Sequence, residues 1–300
     1  MKLNNSYLFA IPTLIWGSTW YAIKFQLGTV NPLLSVGYRF AIAGLILLLI
    51  CKILKLNLKY PLKTHLYILL QGICLFSVNY WLIYIAEISL TSGLVAVVFS
   101  LIIFFNTLFN SLFLKAIIRK EVLIGGSLGI LGTLIMFNSE FKAFNIDNGF
   151  GPLILCFASV LLASMGNIIS AYNQKEGLPV IETNALGMTY ASVFTIIGAL
   201  LFGADLNFDL SFSYLISLFY LALFGSIIAF STYLKLLGNI GPDRSAYIIL
   251  LIPVIAMIIS SIFESYKWHK SAIIGIVFLL AGNLLVMNKG VKIKRNFLWK

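Results

Sequence analysis

Charge is the scarcest property of this 300-residue sequence: 10% of the residues are Asp, Glu, Lys or Arg, while 60% are hydrophobic. Soluble domains carry about 25% charged residues. So few ionised side chains cannot cover a water-soluble globule, which excludes an ordinary soluble enzyme or binding module. Acids are scarcest of all, 10 against 21 Lys and Arg, for a net charge of +11. The basic residues lie in short clusters between apolar runs rather than along one face, so nucleic acid is not the expected partner and anionic lipid is. Three cysteines, Cys51, Cys74 and Cys156, are an odd set within or at the edge of apolar runs. They exclude a disulfide framework and read as reduced packing residues. His65 and His269 fall in loops on opposite predicted sides, and no acidic cluster, P-loop or Gly-x-Ser-x-Gly appears. No metal, no cofactor and no catalytic residue is expected. Nor does an acid lie at the middle of an apolar run, where proton relays sit.

What the sequence has instead is length without charge. A bilayer core of about 30 Å needs roughly 20 apolar residues per helix. Nearly charge-free runs lie between Lys2 and Lys24, His65 and Glu87, Glu87 and Lys115, Glu121 and Glu140, and Asp147 and Lys175. More lie between Glu182 and Asp205, Asp209 and Lys235, Arg244 and Glu264, and Lys270 and Lys289; another, from about Pro32 to Cys51, carries only Arg39. The fold class expected is all-α and integral to the membrane, with ten transmembrane helices. The first run ends in Trp16, Trp20 and Lys24 with no small-residue cleavage site, so it reads as a retained helix rather than a signal peptide.

Lysine and arginine take sides. With the N-terminus cytoplasmic, inward segments hold Lys52, Lys55, Lys59, Lys63, Arg119, Lys120 and the basic tail 291–300; outward ends hold only Lys24, Lys142, Lys267 and Lys270. That is the positive-inside asymmetry, and it places both termini in the cytoplasm of a multi-pass protein of the cell inner (plasma) membrane.

The chain divides near Phe141 to Gly149. Residues 1–141 and 149–290 are alike in hydropathy and glycine placement, with Gly125 and Gly132 in the first answered by Gly275 and Gly282 in the second, and Ser100 by Pro253. Five crossings per half is odd, so the second half enters from the opposite side. Such inverted five-helix repeats recur in transporters, with the substrate near the midplane.

Specific residues then carry a resemblance. Ile15-Trp16-Gly17-Ser18-Thr19-Trp20, Asn31-Pro32, Tyr38-Arg39-Phe40 and Thr91-Ser92-Gly93-Leu94-Val95-Ala96 resemble the first half of EamA-type transporters of the drug/metabolite transporter superfamily. Phe263-Glu264 with Lys267-Trp268 and Ile274-Gly275 resembles the end of a half. The resemblance implies two inverted repeats, a cavity lined by the first, third and fourth helices of each, and movement of small metabolites. Where the family carries a Gly-Glu pair after its fourth helix, this chain has Lys115-Ala116.

Trp16, Trp20 and Lys24, four apart, form one helical face of two rings and a cation, suited to an apolar or amphipathic substrate. For Trp16 the cavity is the favoured place; for Lys24 a snorkelling position weighs equally. Asn79 and Tyr80, Asn167, Ser100 and Tyr247, with Tyr233 beside it, complete the substrate-binding candidates, since polar groups on a span must point inward. Three residues read as hinge or structural: Pro253, which would free a backbone carbonyl, Glu264, and Arg39, expected to hold the outer end through carbonyls or Glu87. The expected function is alternating-access transport, export first, of amino acids or related metabolites. The partners expected are a small-molecule substrate and the bilayer, with a homodimer left open; a membrane enzyme or channel is the alternative.

Overall fold

A computed structural model describes residues 4–114, 120–136, 146–241, 245 and 247–288, and among these all regular structure is helical. Charged and capping residues set the helix ends. α1 (Asn5–Lys24) starts where the Asn4 side chain accepts from Ser6 N, and α2 (Pro32–Ile53) where Asn31 accepts from Leu33 N at 2.9 Å with proline at the first turn. α3 (Leu62–Gly72) runs through a π-helical segment, Ile73–Ser77, into α4 (Val78–Ser89). α5 (Ser92–Phe99) and α6 (Ile102–Leu114) are separated by a break at Ser100 and Leu101; α7 is Lys120–Met136.

The second part follows the same order. α8 (Ile146–Lys175) and α9 (Val180–Leu201) precede α10 (Phe212–Tyr220), which passes through a second π-helical segment, Leu221–Ile228, into α11 (Ala229–Ile240). α12 (Tyr247–Phe263) and α13 (Lys270–Asn288) close the bundle. Among the described residues, six helical stretches are long and apolar enough to cross a membrane: 32–53, 62–89, 92–113, 151–175, 180–201 and 212–240. Shorter apolar helices occupy 123–136, 251–263 and 270–285. Cys51, Cys74 and Cys156 are unpaired, the first and last buried.

Two helix pairs pack backbone to backbone. α7 lies along α13 and α2 along α9. A Cβ added at Gly132 would sit 2.5 Å from Gly275 O, and one at Gly275 would sit 2.5 Å from Gly132 O. The glycines that mark corresponding places in the two halves of the sequence therefore meet each other in space. Without a hydrophobic drive between helices in lipid, such small-residue contact is what allows dispersion and carbonyl contacts to hold them together.

Ser100 and Pro253 differ in a way the sequence does not reveal. α12 runs unbroken through Pro253, whereas the interruption falls at Ser100.

Gly275→Leu should destabilise the protein by about 2–3 kcal/mol, the range for overpacking. Gly151→Leu, where an added Cβ meets nothing within 4 Å, should be near neutral. Melting midpoints in detergent decide: equal midpoints for the two variants would refute the close α7–α13 contact.

Candidate functional site

The main cavity lies among α1, α4, α5, α8, α11 and α12 and encloses about 610 Å³ counting the part that opens outward. No charged residue lines it among the described residues. Trp16 is fixed in the wall, its indole N–H donating to Gly225 O at 3.1 Å and its ring edge-on to Phe230 and Tyr233 at 4.9 and 5.1 Å. Trp20, one turn on, lies 5.2 Å from Phe99, and its buried Nε1 has no partner.

The polar lining is made of amides and hydroxyls. Asn79 Nδ2 donates to Leu75 O at 3.2 Å, leaving Oδ1 unpartnered. Asn167 Nδ2 donates to Asn106 Oδ1 at 3.2 Å, and the Tyr233 hydroxyl is turned toward both amides and Ser245. Trp16, Trp20, Asn79, Tyr80 and Asn167 thus come together around one space. Phe230 and Phe99 join them in the lining, and Asn106 stands behind Asn167, without having been singled out from the sequence. Asn106, an amide in the apolar run Ile102-Ile103-Phe104-Phe105, carried a readable signal; Phe99 and Phe230, two aromatics among 24 Phe, carried none.

The remaining candidates lie elsewhere. Ser100 Oγ donates to Val97 O and accepts from Asn283 on α13, away from the cavity. Pro253 borders a separate apolar pocket with Val97, Met257 and Trp268. The Tyr247 side chain, like Lys115, Ala116 and the tail 291–300, lies outside the described residues.

Arg39 is fully buried, its Cζ 4.4 Å from the centroid of the Tyr80 ring and 5.2 Å from that of Phe40. Carbonyls or Glu87 were the expected partners; the bond formed is from Nε to Ser226 Oγ at 2.9 Å. The π-helical segment brings Ser226 there, and the aromatic faces offset part of the desolvation of the cation.

Lys24 is neither in the cavity lining nor free in solvent. Its Nζ donates to Glu87 O and to Leu90 O, the latter at 2.6 Å, and pairs with Glu264 Oε1 at 3.7 Å. Glu264 in turn accepts from Ser92 N and Ser92 Oγ. One cluster therefore ties the ends of α1, α4 and α12 to the start of α5. Beside it Glu87 is fully buried, and neither carboxyl oxygen accepts a hydrogen bond.

The EamA-like transporter family matches the chain twice, over residues 6–138 and 150–288. The chain belongs to that family. It is 33% identical over 257 residues, 85% of this chain and 80% of the relative, to a protein of Escherichia coli strain K12 named an uncharacterized inner membrane transporter, YedA. It is 28% identical over 296 residues, 96% and 93% of the two chains, to YvbV of Bacillus subtilis, named an uncharacterized transporter. A crystal structure of a protein 15% identical to it matches with a TM-score of 0.71 over 95% of this chain and 96% of that one, which supports the fold. The EamA-like chain is thus a membrane protein of a transporter family, and its cavity takes walls from both matched stretches.

Glu264→Ala should destabilise the EamA-like chain by about 1–3 kcal/mol by leaving the Ser92 N–H without its acceptor and Lys24 with carbonyl acceptors but no counter-ion, and Glu264→Gln by less, because an amide oxygen still accepts from Ser92. Melting curves in lipid nanodiscs will rank the three proteins; an alanine variant that melts with the parent removes any structural role for the cluster.

Proposed function

We propose that this protein is a transporter of small metabolites, working by alternating access between two inverted five-helix repeats and running in the export direction. The observation that carries the reading is a cavity, open in part, built from both family-matched stretches. A channel needs a continuous polar path, and this cavity is lined mainly by apolar and aromatic side chains. No cluster of His, Cys, Asp or Glu fit to hold a metal occurs among the described residues, and the relatives are named transporters, which favours transport over a membrane enzyme.

Inversion of the repeats draws support from paired contacts. Asn239 near the end of α11 donates to Asn5 at the start of α1, while Leu234 on the same helix accepts from Gln174 at the end of α8. The start of α1 thus lies beside the end of α8, so the two helices run in opposite senses. Gln26, just past α1, donates to Tyr214 O on α10, and Asn173, near the end of α8, donates to Gln71 on α3 at 2.9 Å. The π-helical segments also fall at corresponding places, in the third crossing of each part. The reading includes ten crossings, repeats at 1–141 and 149–290, both termini cytoplasmic and a plasma-membrane location, the last in keeping with the inner-membrane name of YedA. The substrate-contact residues proposed are Trp16, Trp20, Asn79, Tyr80 and Asn167.

Purified protein in liposomes should give saturable uptake or counterflow of at least one labelled compound from a metabolite panel that includes amino acids, with or without a pH gradient. Asn79→Ala should raise its half-saturation concentration by about tenfold, the equivalent of one lost hydrogen bond, at unchanged protein folding. No saturable flux for any compound would overturn the transport reading. Reporter fusions should place both ends of the chain in the cytoplasm; ends on opposite faces would exclude odd crossing counts in both repeats.

A further inference from the structure

The cavity has hydrogen-bonding groups but no charge, and those groups are under-used. Asn167 is 1% exposed and Asn106 fully buried; their mutual bond leaves Asn167 Oδ1 and Asn106 Nδ2 without partners. Asn79 has one amide end unpaired and the Trp20 indole N–H donates to nothing. Buried polar atoms in an apolar wall are disfavoured unless something hydrogen-bonds them. The Tyr233 hydroxyl faces the Asn106 and Asn167 amides, while Asn79 Oδ1 and the Trp20 indole N–H face no protein partner and are left to water or a ligand.

The charges nearest the cavity stay out of its lining, although both Nη atoms of Arg39 are buried without a hydrogen-bond partner. Lys24 and Glu264 pair with each other, and Arg39 lies against the Tyr80 ring with Nε on Ser226. None of these, nor Glu87, lines the cavity. An ammonium brought into this space would lose its hydration and meet no counter-ion in the lining, and a carboxylate would meet no cation there either, the nearest, Arg39, being held against the Tyr80 ring at 4.4 Å; both are unfavourable. A carboxamide or hydroxyl would meet partners of matched strength. The aromatic walls of Trp16, Trp20 and Phe230 suit a flat apolar body.

We infer that the cavity selects an uncharged molecule with a flat aromatic body and one amide-like or hydroxyl head, held by Asn167 and Asn79, rather than a free amino acid. The inference rests on the transport reading for what binding is used for, and narrows the amino-acid class expected from the sequence.

The test is a matched series on one ring system: indole-3-acetamide as the neutral head, indole with no head, indole-3-acetate, tryptamine and tryptophan. Calorimetry on the full-length protein in nanodiscs reads binding, and counterflow in liposomes reads transport. The neutral amide should bind at least about tenfold more tightly than any charged member, the advantage of an uncharged over an unpaired charged group. Asn167→Ala should bring the amide to within about threefold of indole, as expected for one lost hydrogen bond, with indole bound as by the parent. Asn79→Ala provides the same comparison should the first variant fail to fold, and the series on the parent protein needs no variant. Tightest binding of tryptophan or of indole-3-acetate overturns the inference, as does absence of binding by the amide. Selective binding without saturable flux upholds it and counts against transport instead.

Discussion

A polar group inside hydrocarbon must find its partner within the protein, and most of this molecule's internal arrangement follows from that constraint. Hydroxyls on the spans solve it locally: Thr13 donates to Phe9 O, Thr107 to Ile103 O and Thr189 to Ala185 O, each one turn back on its own helix. Some amides do the same, as Asn79 does with Leu75 O, and others reach between helices. Gln26, Asn173, Gln174 and Asn283 all bond to residues far away in sequence. The bonds of Gln26, Asn173 and Asn283 join one matched stretch to the other, while that of Gln174 joins two helices of the second. Of the amides left with unused ends, Asn79 and Asn167 line the cavity, whereas Gln26, Gln71 and Asn184 lie outside its lining.

The π-helical segments belong to the same account. A widened turn shifts backbone pairing and exposes groups that a regular helix would consume. On Leu221–Ile228, Gly225 O receives the Trp16 indole and Ser226 Oγ receives Arg39, so one cavity wall and the buried guanidinium are fixed by the same turn. On Ile73–Ser77, Leu75 O receives Asn79, and Ser77 meets Thr195 on α9 at 2.5 Å. An added Cβ at Gly225 would lie 2.9 Å from Thr19 and 3.2 Å from Arg39 Nη2. Only glycine admits the arginine beside α1 without displacement.

The sequence exposed those features that depend on local spacing. Charge intervals pointed to long apolar helices because a charge in mid-span is costly, and six such stretches stand among the described residues; the four-residue interval from Trp16 to Trp20 put both rings toward one space because a helix turns in 3.6 residues. Amides in apolar runs, Asn79 and Asn167, were legible as inward-facing for the same reason. What escaped depends on tertiary register. The partner of Arg39 lies 187 residues away on a segment whose widened turn no residue announces. Lys24 could be read as snorkelling or as cavity-facing, and the structure gives it a third role as the hub of an end-to-end tie. Proline suggested a break at Pro253, but the break lies at Ser100, since proline removes only a single backbone donor and neighbouring packing can carry the helix through.

The two ends of the bundle are tied by different chemistry. Where α1 finishes, Lys24 bridges two main-chain carbonyls and a carboxylate, and that carboxylate caps α5 through Ser92. Where α8 finishes, the corresponding bonds come from the neutral amides Asn173 and Gln174 to Gln71 and Leu234 O. Charge-assisted bonds are roughly twice as strong as neutral ones and, when partly exposed, weaken with salt. The Lys24–Glu264 pair therefore weakens with salt, whereas the bonds that Asn173 and Gln174 make are between neutral groups and are not screened in this way. Two family-matched stretches of similar outline thus carry different chemistry in the bonds that fasten them.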